Sequence, residues 1–184
     1  MADQTRSTIV RWRQWAGTGI EHLVLRQDSG GISAESVAVS ADNAPFAVHY
    51  RIACGPDWRT KEVEVGLVGG ARFLLRTDGI GNWSKDGVAI PELTGALDPD
   101  LTVSPFTNTL PIRRLRLRSG ESVEIAAAFI EFPELTIVKS PQRYTCLDEG
   151  RRYLYESLRS GFRREIEVDG EGLVIVYPDF WQRI

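Results

Sequence analysis

The chain has 184 residues, 42% of them apolar and 26% charged, with a formal net charge of −3. That length is enough for one domain whose core needs neither metal nor crosslinks, and the composition excludes a disordered chain. The mild acidity supplies no field that would draw in a nucleic-acid backbone, so nucleic acid is not an expected partner.

From the start, residues 1–6 run into Ser7-Thr8-Ile9-Val10-Arg11-Trp12 without the apolar run of a signal peptide, which makes the cytoplasm the expected location. No stretch reaches the roughly 18 apolar residues of a spanning helix, so no transmembrane segment is expected. Residues 9–15 and 22–26 read as the strands of a hairpin around Gly17-Thr18-Gly19, and Asp28-Ser29-Gly30-Gly31 turns into a third strand over 32–39 that ends at Asp42-Asn43-Ala44-Pro45. In the next strand Phe46, Val48, Tyr50, Ile52 and Cys54 share one parity, while His49 and Arg51 take the other. A side-chain period of two sends those sets to opposite faces. Val63, Val65 and Leu67 likewise oppose Glu62 and Glu64, as in a half-solvated antiparallel sheet.

Further strands are expected at 71–77 and 88–93, with Asp86-Gly87 as the strongest hairpin signal in the chain. Beyond residue 117, strands alternate with Gly-, Pro- and Asp-rich turns to the end; residues 122–132, with three consecutive alanines, and 148–158 also admit a helical reading. About a dozen short strands point to one domain over 1–184. Its expected fold is mostly β: a single curved antiparallel sheet, a spiral β-roll or a partly closed barrel-like sheet, with few or no helices.

Residues 98–117 stand apart. Ser104-Pro105 and Leu110-Pro111 read as two stiff, extended corners enclosing Phe106-Thr107-Asn108-Thr109, because proline fixes φ and pushes its predecessor toward an extended shape. Such a stretch is either a surface connection or a site-forming loop. Asp98 and Asp100 share a face on an extended backbone, where paired carboxylates serve as acid and base, hold a ligand, or simply cap a turn. On a continuing strand Arg114, Arg116 and Arg118 fall on a solvated face. Arg113 falls on the apolar side and needs an acceptor there, either Asp98 or Asp100 or an anionic ligand.

Trp58, Trp83, Tyr144 and Tyr153 lie beside polar or turn residues, where aromatic rings often rim a cavity; the other aromatics read as core. There is no GxSxG, GxxxxGK, HExxH or GxGxxG motif. Cys54 and Cys146 with His22 and His49 fit neither a CxxC pair nor a zinc pattern, so no metal and no cofactor are expected.

The run from Leu93 to Leu101, followed by Ser104-Pro105-Phe106-Thr107-Asn108-Thr109-Leu110-Pro111-Ile112-Arg113-Arg114-Leu115, resembles the core motif of the putative glycolipid-binding family. Gly19-Ile20-Glu21-His22-Leu23, Asp57-Trp58-Arg59-Thr60-Lys61, Asp78-Gly79-Ile80-Gly81-Asn82-Trp83, Gln142-Arg143-Tyr144-Thr145 and residues 168–178 extend the likeness over nearly the whole chain. The chain departs from that pattern at Ala96, where a cysteine is expected, and at Pro99, where a branched residue is expected. The resemblance implies a β-roll like that of bacterial lipid and lipoprotein carriers. It also implies ligand-binding residues at Trp58, Arg59, Asp78, Trp83, Asp98, Asp100, Thr107, Asn108, Arg113, Arg114 and Tyr144. The function expected from it is binding of an amphipathic small molecule or glycolipid in an apolar concavity without covalent chemistry. Two other readings stay open: a hydrolase of a sugar or ester using Asp98 and Asp100, and a structural module with no ligand.

Overall fold

The computed structural model describes residues 5–42 and 44–184. The signal-free start expected at residues 1–4, and Asn43 in the turn expected after the third strand, lie outside them. Alternating sequence becomes strand almost everywhere. The first half holds β1 (Arg6–Gln14), β2 (Ile20–Asp28), β3 (Gly31–Ser40), β4 (Phe46–Cys54), β5 (Thr60–Leu67), β6 (Arg72–Thr77), β7 (Trp83–Lys85) and β8 (Val88–Ala89). The second holds β9 (Asp98–Leu101), β10 (Ser122–Ile130), β11 (Ile137–Asp148), β12 (Arg152–Ser157), β13 (Arg163–Val168), β14 (Val174–Tyr177) and β15 (Trp181–Arg183).

These described strands form one sheet in the order β8-β7-β6-β5-β4-β3-β2-β1-β15-β14-β13-β12-β11-β10-β9. Two meanders are joined in the middle, where β1 pairs antiparallel with β15 through Trp12 opposite Arg183 and Gln14 opposite Trp181. The ladder is antiparallel except at its last step, where β9 runs parallel to β10. Parallel neighbours need a crossover rather than a hairpin, and residues 102–121 supply it. The sheet is therefore mixed rather than wholly antiparallel, and it is not closed into a barrel: β8 and β9 are its two ends, and both are short, which limits the unpaired edge they present.

The crossover also corrects the expectation of extended proline corners. Pro105–Asn108 is a 3-10 turn and Thr109–Leu115 is a short helix, α1, capped by Arg116 at φ 51. Both prolines sit within the first turn of their helical segment, where a backbone N–H has no helical acceptor, so the missing donor costs little. Ser104, extended at φ −143, caps the start by accepting from the Phe106 N–H. From Val103 to Ile112 every residue is buried, with Phe106 and Leu110 fully enclosed. The crossover is thus a core element.

Residues 122–132 and 148–158, for which a helix was also admissible, form β10 and β12 instead. Pairing of β10 on both sides, to β9 and to β11, outweighs the helix propensity of its alanines. The hairpin expected at Asp86-Gly87 is present, with both residues at positive φ (50 and 85). Gly81, at φ +101, lies so close to Gly95 that an added Cβ would stand 2.7 Å from the Gly95 Cα, and the Gly95 N–H donates to the Gly81 carbonyl at 2.9 Å. Trp83 fastens the same segment: its buried Nε1–H donates to the Ala96 carbonyl at 2.7 Å. Trp83→Phe leaves that carbonyl without its donor and is expected to cost about 1–3 kcal/mol. A urea midpoint equal to the parent's would show that the bond contributes nothing.

Candidate functional site

The crossover brings its polar residues to two separate places. Asp98 and Asp100 share a parity on β9, as expected, but meet different partners. Arg114 reaches back from α1 to grip Asp98 with two parallel bonds, Nε to Oδ1 at 3.0 Å and Nη2 to Oδ2 at 2.5 Å; the Asp98 side chain is buried and that of Arg114 largely so. Burial pushes the Asp98 carboxyl up, against the pull of Arg114 and, more weakly, of Arg59. Arg113, expected to meet Asp98, Asp100 or an anionic ligand, instead lies over the Trp58 ring with its guanidinium carbon 5.0 Å from the centroid. The roles of the two arginines are exchanged because successive helical residues point about 100° apart, not to opposite faces as on a strand.

Asp100 has only neutral partners. Its Oδ2 accepts from the Gln142 amide at 2.6 Å and its Oδ1 from the Thr107 hydroxyl at 3.3 Å. Burial raises its pKa; the Gln142 and Thr107 bonds oppose that, and the charge of Asp98 adds to it. One turn on, Asn108 accepts from the Tyr144 hydroxyl at 2.9 Å and donates to the Pro105 carbonyl at 3.2 Å. Asp100, Asn108 and Ser104 line a cavity of about 260 Å³. Its apolar wall is aromatic: Tyr155, Phe162, Tyr177, Phe180 and Trp181, brought in by the returning strands β12, β14 and β15 and the turns between them. The rings pack on one another, with Phe162 on Phe180 at 5.3 Å and Tyr177 on Phe180 at 5.1 Å between centroids. A wider, shallower trough of about 560 Å³ shares Thr102, Phe180 and Trp181 with this cavity and continues past Trp15, Phe46 and Phe132.

Beneath Ser104 lies a fully buried carboxyl. Oε1 of Glu21, on β2, accepts from the hydroxyls of Tyr50 at 2.5 Å, Ser36 at 2.7 Å and Ser104 at 2.9 Å, while Oε2 has no hydrogen-bond partner among the described residues. Burial lifts its pKa to about 7, although the three hydroxyls act the other way. The neutral acid fits this geometry, with the proton on Oε2 and Oε1 acting as a carbonyl acceptor.

Of the eleven expected ligand residues, Asp100 and Asn108 line the cavity, and Thr107 and Tyr144 hold those two in place. The others gather elsewhere. Trp58 is buried beneath Arg113, the Arg59 guanidinium donates to the Gly79 carbonyl at 2.9 Å, and Asp78 caps its own turn through the N–H groups of Ile80 and Asn82. Trp83, Asp98 and Arg114 are tied up as described above. Asp98 does not line the cavity, so the two carboxylates do not converge on one space as an acid–base pair must.

The aromatic wall was not foreseen: Tyr155, Phe162, Tyr177, Phe180 and Trp181 read as core. Glu21 was legible from parity, since it shares the inward side of β2 with Leu23 and Leu25 while Ile20 faces out.

A family model described as putative glycolipid-binding matches residues 9–183. The chain belongs to that family. A crystal structure of a DUF1089 family protein from Pseudomonas aeruginosa is similar, at 40% identity, 89% coverage of this chain, 92% of the other and a TM-score of 0.80. No curated protein matches. Every element that builds the cavity lies within the family-matched span, including β9, the crossover and β12 to β15.

Proposed function

We propose that this member of the glycolipid-binding family binds an amphipathic small molecule without covalent chemistry. The apolar part lies on the aromatic wall and along the adjoining trough, and the polar end meets Asp100, Asn108 and Ser104. In this reading the sheet is the wall of a β-roll and the crossover is its floor.

The observation that carries the proposal is the pairing of one aromatic wall with a few convergent polar groups in the same cavity. Apolar area drives such binding while sparse polar contacts fix orientation. Of the polar residues expected to bind, Arg113 and Asp98 are engaged elsewhere, and Asn108 and Asp100 line the cavity. Uptake of a fluorescent fatty-acyl probe tests the reading, with native mass spectrometry of fresh protein to detect a co-purified amphiphile. Phe162, half-buried on the cavity wall, is the residue to change, since it stands outside the fully buried core. Phe162→Ala is expected to weaken probe binding about tenfold through lost apolar contact. Absence of both probe uptake and a co-purified amphiphile would sink the proposal.

A further inference from the structure

We infer that the polar end of the bound molecule is an organic cation, an amine or quaternary ammonium carried on an apolar body, seated between the aromatic wall and Asp100. This deepens the binding reading above and rests on it. The cavity's charge is one-sided. Among the described residues Asp100 is the single carboxyl on its lining, and no lysine or arginine lines it. Two residues away, Asp98 has a dedicated arginine, whereas Asp100 is given an amide and a hydroxyl. Asp100 is half-buried, and a carboxylate partly withdrawn from water without a counter-ion is costly, so a ligand cation supplies what the fold withholds.

The surroundings suit a cation further. The rings of Tyr155, Phe162, Tyr177 and Trp181 line the same space, and aromatic faces attract ammonium groups, most strongly where water is excluded. The guanidinium of Arg164 already sits over the Phe162 ring at 5.1 Å. Neither the Tyr155 nor the Tyr177 hydroxyl is hydrogen-bonded among the described residues, and the charge of Asp100 raises both phenols after burial has done so. An anionic head such as a fatty-acid carboxylate faces the charge of Asp100 there, with no lysine or arginine on the described lining to offset it.

The charged and titratable neighbours of Asp100 set the pH dependence. They are Asp98 on its own strand, Tyr144 on β11, Tyr155 on β12, Arg164 on β13 in its pair with Asp179, Tyr177 on β14, and Glu21 beyond Ser104. The phenols stay neutral in the working range, and besides Glu21, which loses its proton near pH 7 beyond Ser104, Asp100 is the group that gains charge as pH rises. A cation held against it displaces its proton, so affinity rises with pH and protons are released on binding.

Titration calorimetry with dodecyltrimethylammonium, dodecyl glucoside and dodecanoate, each as monomer between pH 5 and pH 8, tests this. The expected result at pH 8 is a preference of about tenfold or more for the ammonium over both others. That preference should shrink toward pH 5, with proton release visible as a buffer-dependent heat. In Asp100→Asn the ammonium-to-glucoside affinity ratio is expected to fall to near one and its pH dependence to vanish. The wild-type profile stands as the test if that variant does not fold. Benzyltrimethylammonium separates the sources: affinity equal to the dodecyl compound's indicates a free cation, and much weaker affinity indicates a lipid head. Glucoside or dodecanoate binding as tightly as the ammonium overturns the inference while leaving amphiphile binding intact. A pH slope that survives in Asp100→Asn also overturns it, by assigning the titration to Glu21. No binding of any of the three overturns both.

Discussion

Arg114→Ala is expected to destabilise the protein by about 3–5 kcal/mol, the cost of stranding a buried carboxylate. Asp98 is 1% exposed at its side chain and has its arginine as the one formally charged bonding partner. With the guanidinium gone, Asp98 must either stay charged in the interior or take up a proton, and both cost free energy at neutral pH. The loss should therefore shrink in acid, where the carboxyl is neutral in the unfolded chain as well. Removing both charges in Asp98→Asn with Arg114→Met is expected to cost much less than Arg114→Ala alone, since a paired charge recovers little beyond its own desolvation. Urea denaturation of the three variants at pH 5 and pH 8 checks this. A single-variant cost below about 1 kcal/mol, the range of exposed pairs, would mean that the bridge is effectively solvated.

Glu21→Gln is expected to act in the other direction. In the unfolded chain this carboxyl loses its proton near its ordinary pKa of 4.5, but in the folded protein it keeps the proton until about pH 7. Between those values the folded state binds more protons, so stability falls as pH rises. The contribution is complete below about pH 4.5 and gone above about pH 7, a loss on the order of 3 kcal/mol for a fully buried group. Glutamine keeps an oxygen for Tyr50, Ser36 and Ser104 and has no proton to lose. The variant should match the parent near pH 4 and exceed it by up to about 3 kcal/mol at pH 8. Parallel stability curves for the two proteins across that range would show that Glu21 is not the titrating group. Because Ser104 both bonds Glu21 and lines the cavity, the same titration bears on how firmly the crossover is seated.

The parity of β4, with Val48, Tyr50 and Ile52 inward and Arg51 outward, appears in the structure as read from the residues, and so does the Asp86-Gly87 hairpin. Both depend on a few neighbouring residues and a period of two. The ligand positions were harder. Asp100 and Asn108 belong to the cavity and Thr107 and Tyr144 support it, but Trp58, Arg59, Asp78 and Trp83 are engaged in loop contacts whose partners lie up to about twenty residues away or on another element. A tryptophan beside a turn looks alike in sequence whether it rims a ligand or caps a loop.

By itself, the sequence determined the strands, their inward faces and most of the turns, because alternation and turn chemistry act within a few residues along one chain segment. Tertiary structure decided that residues 102–121 would be a crossover with a helix, buried from 103 to 112, since only a parallel β9 requires the chain to return along the sheet. It thereby chose Arg114 over Arg113 for Asp98. It also decided that Tyr155, Phe162, Tyr177, Phe180 and Trp181 would leave a gap beside Asp100 rather than pack it shut. Parity says which side chains face inward, but whether inward side chains from distant strands meet or stand apart is set by where the whole sheet places those strands.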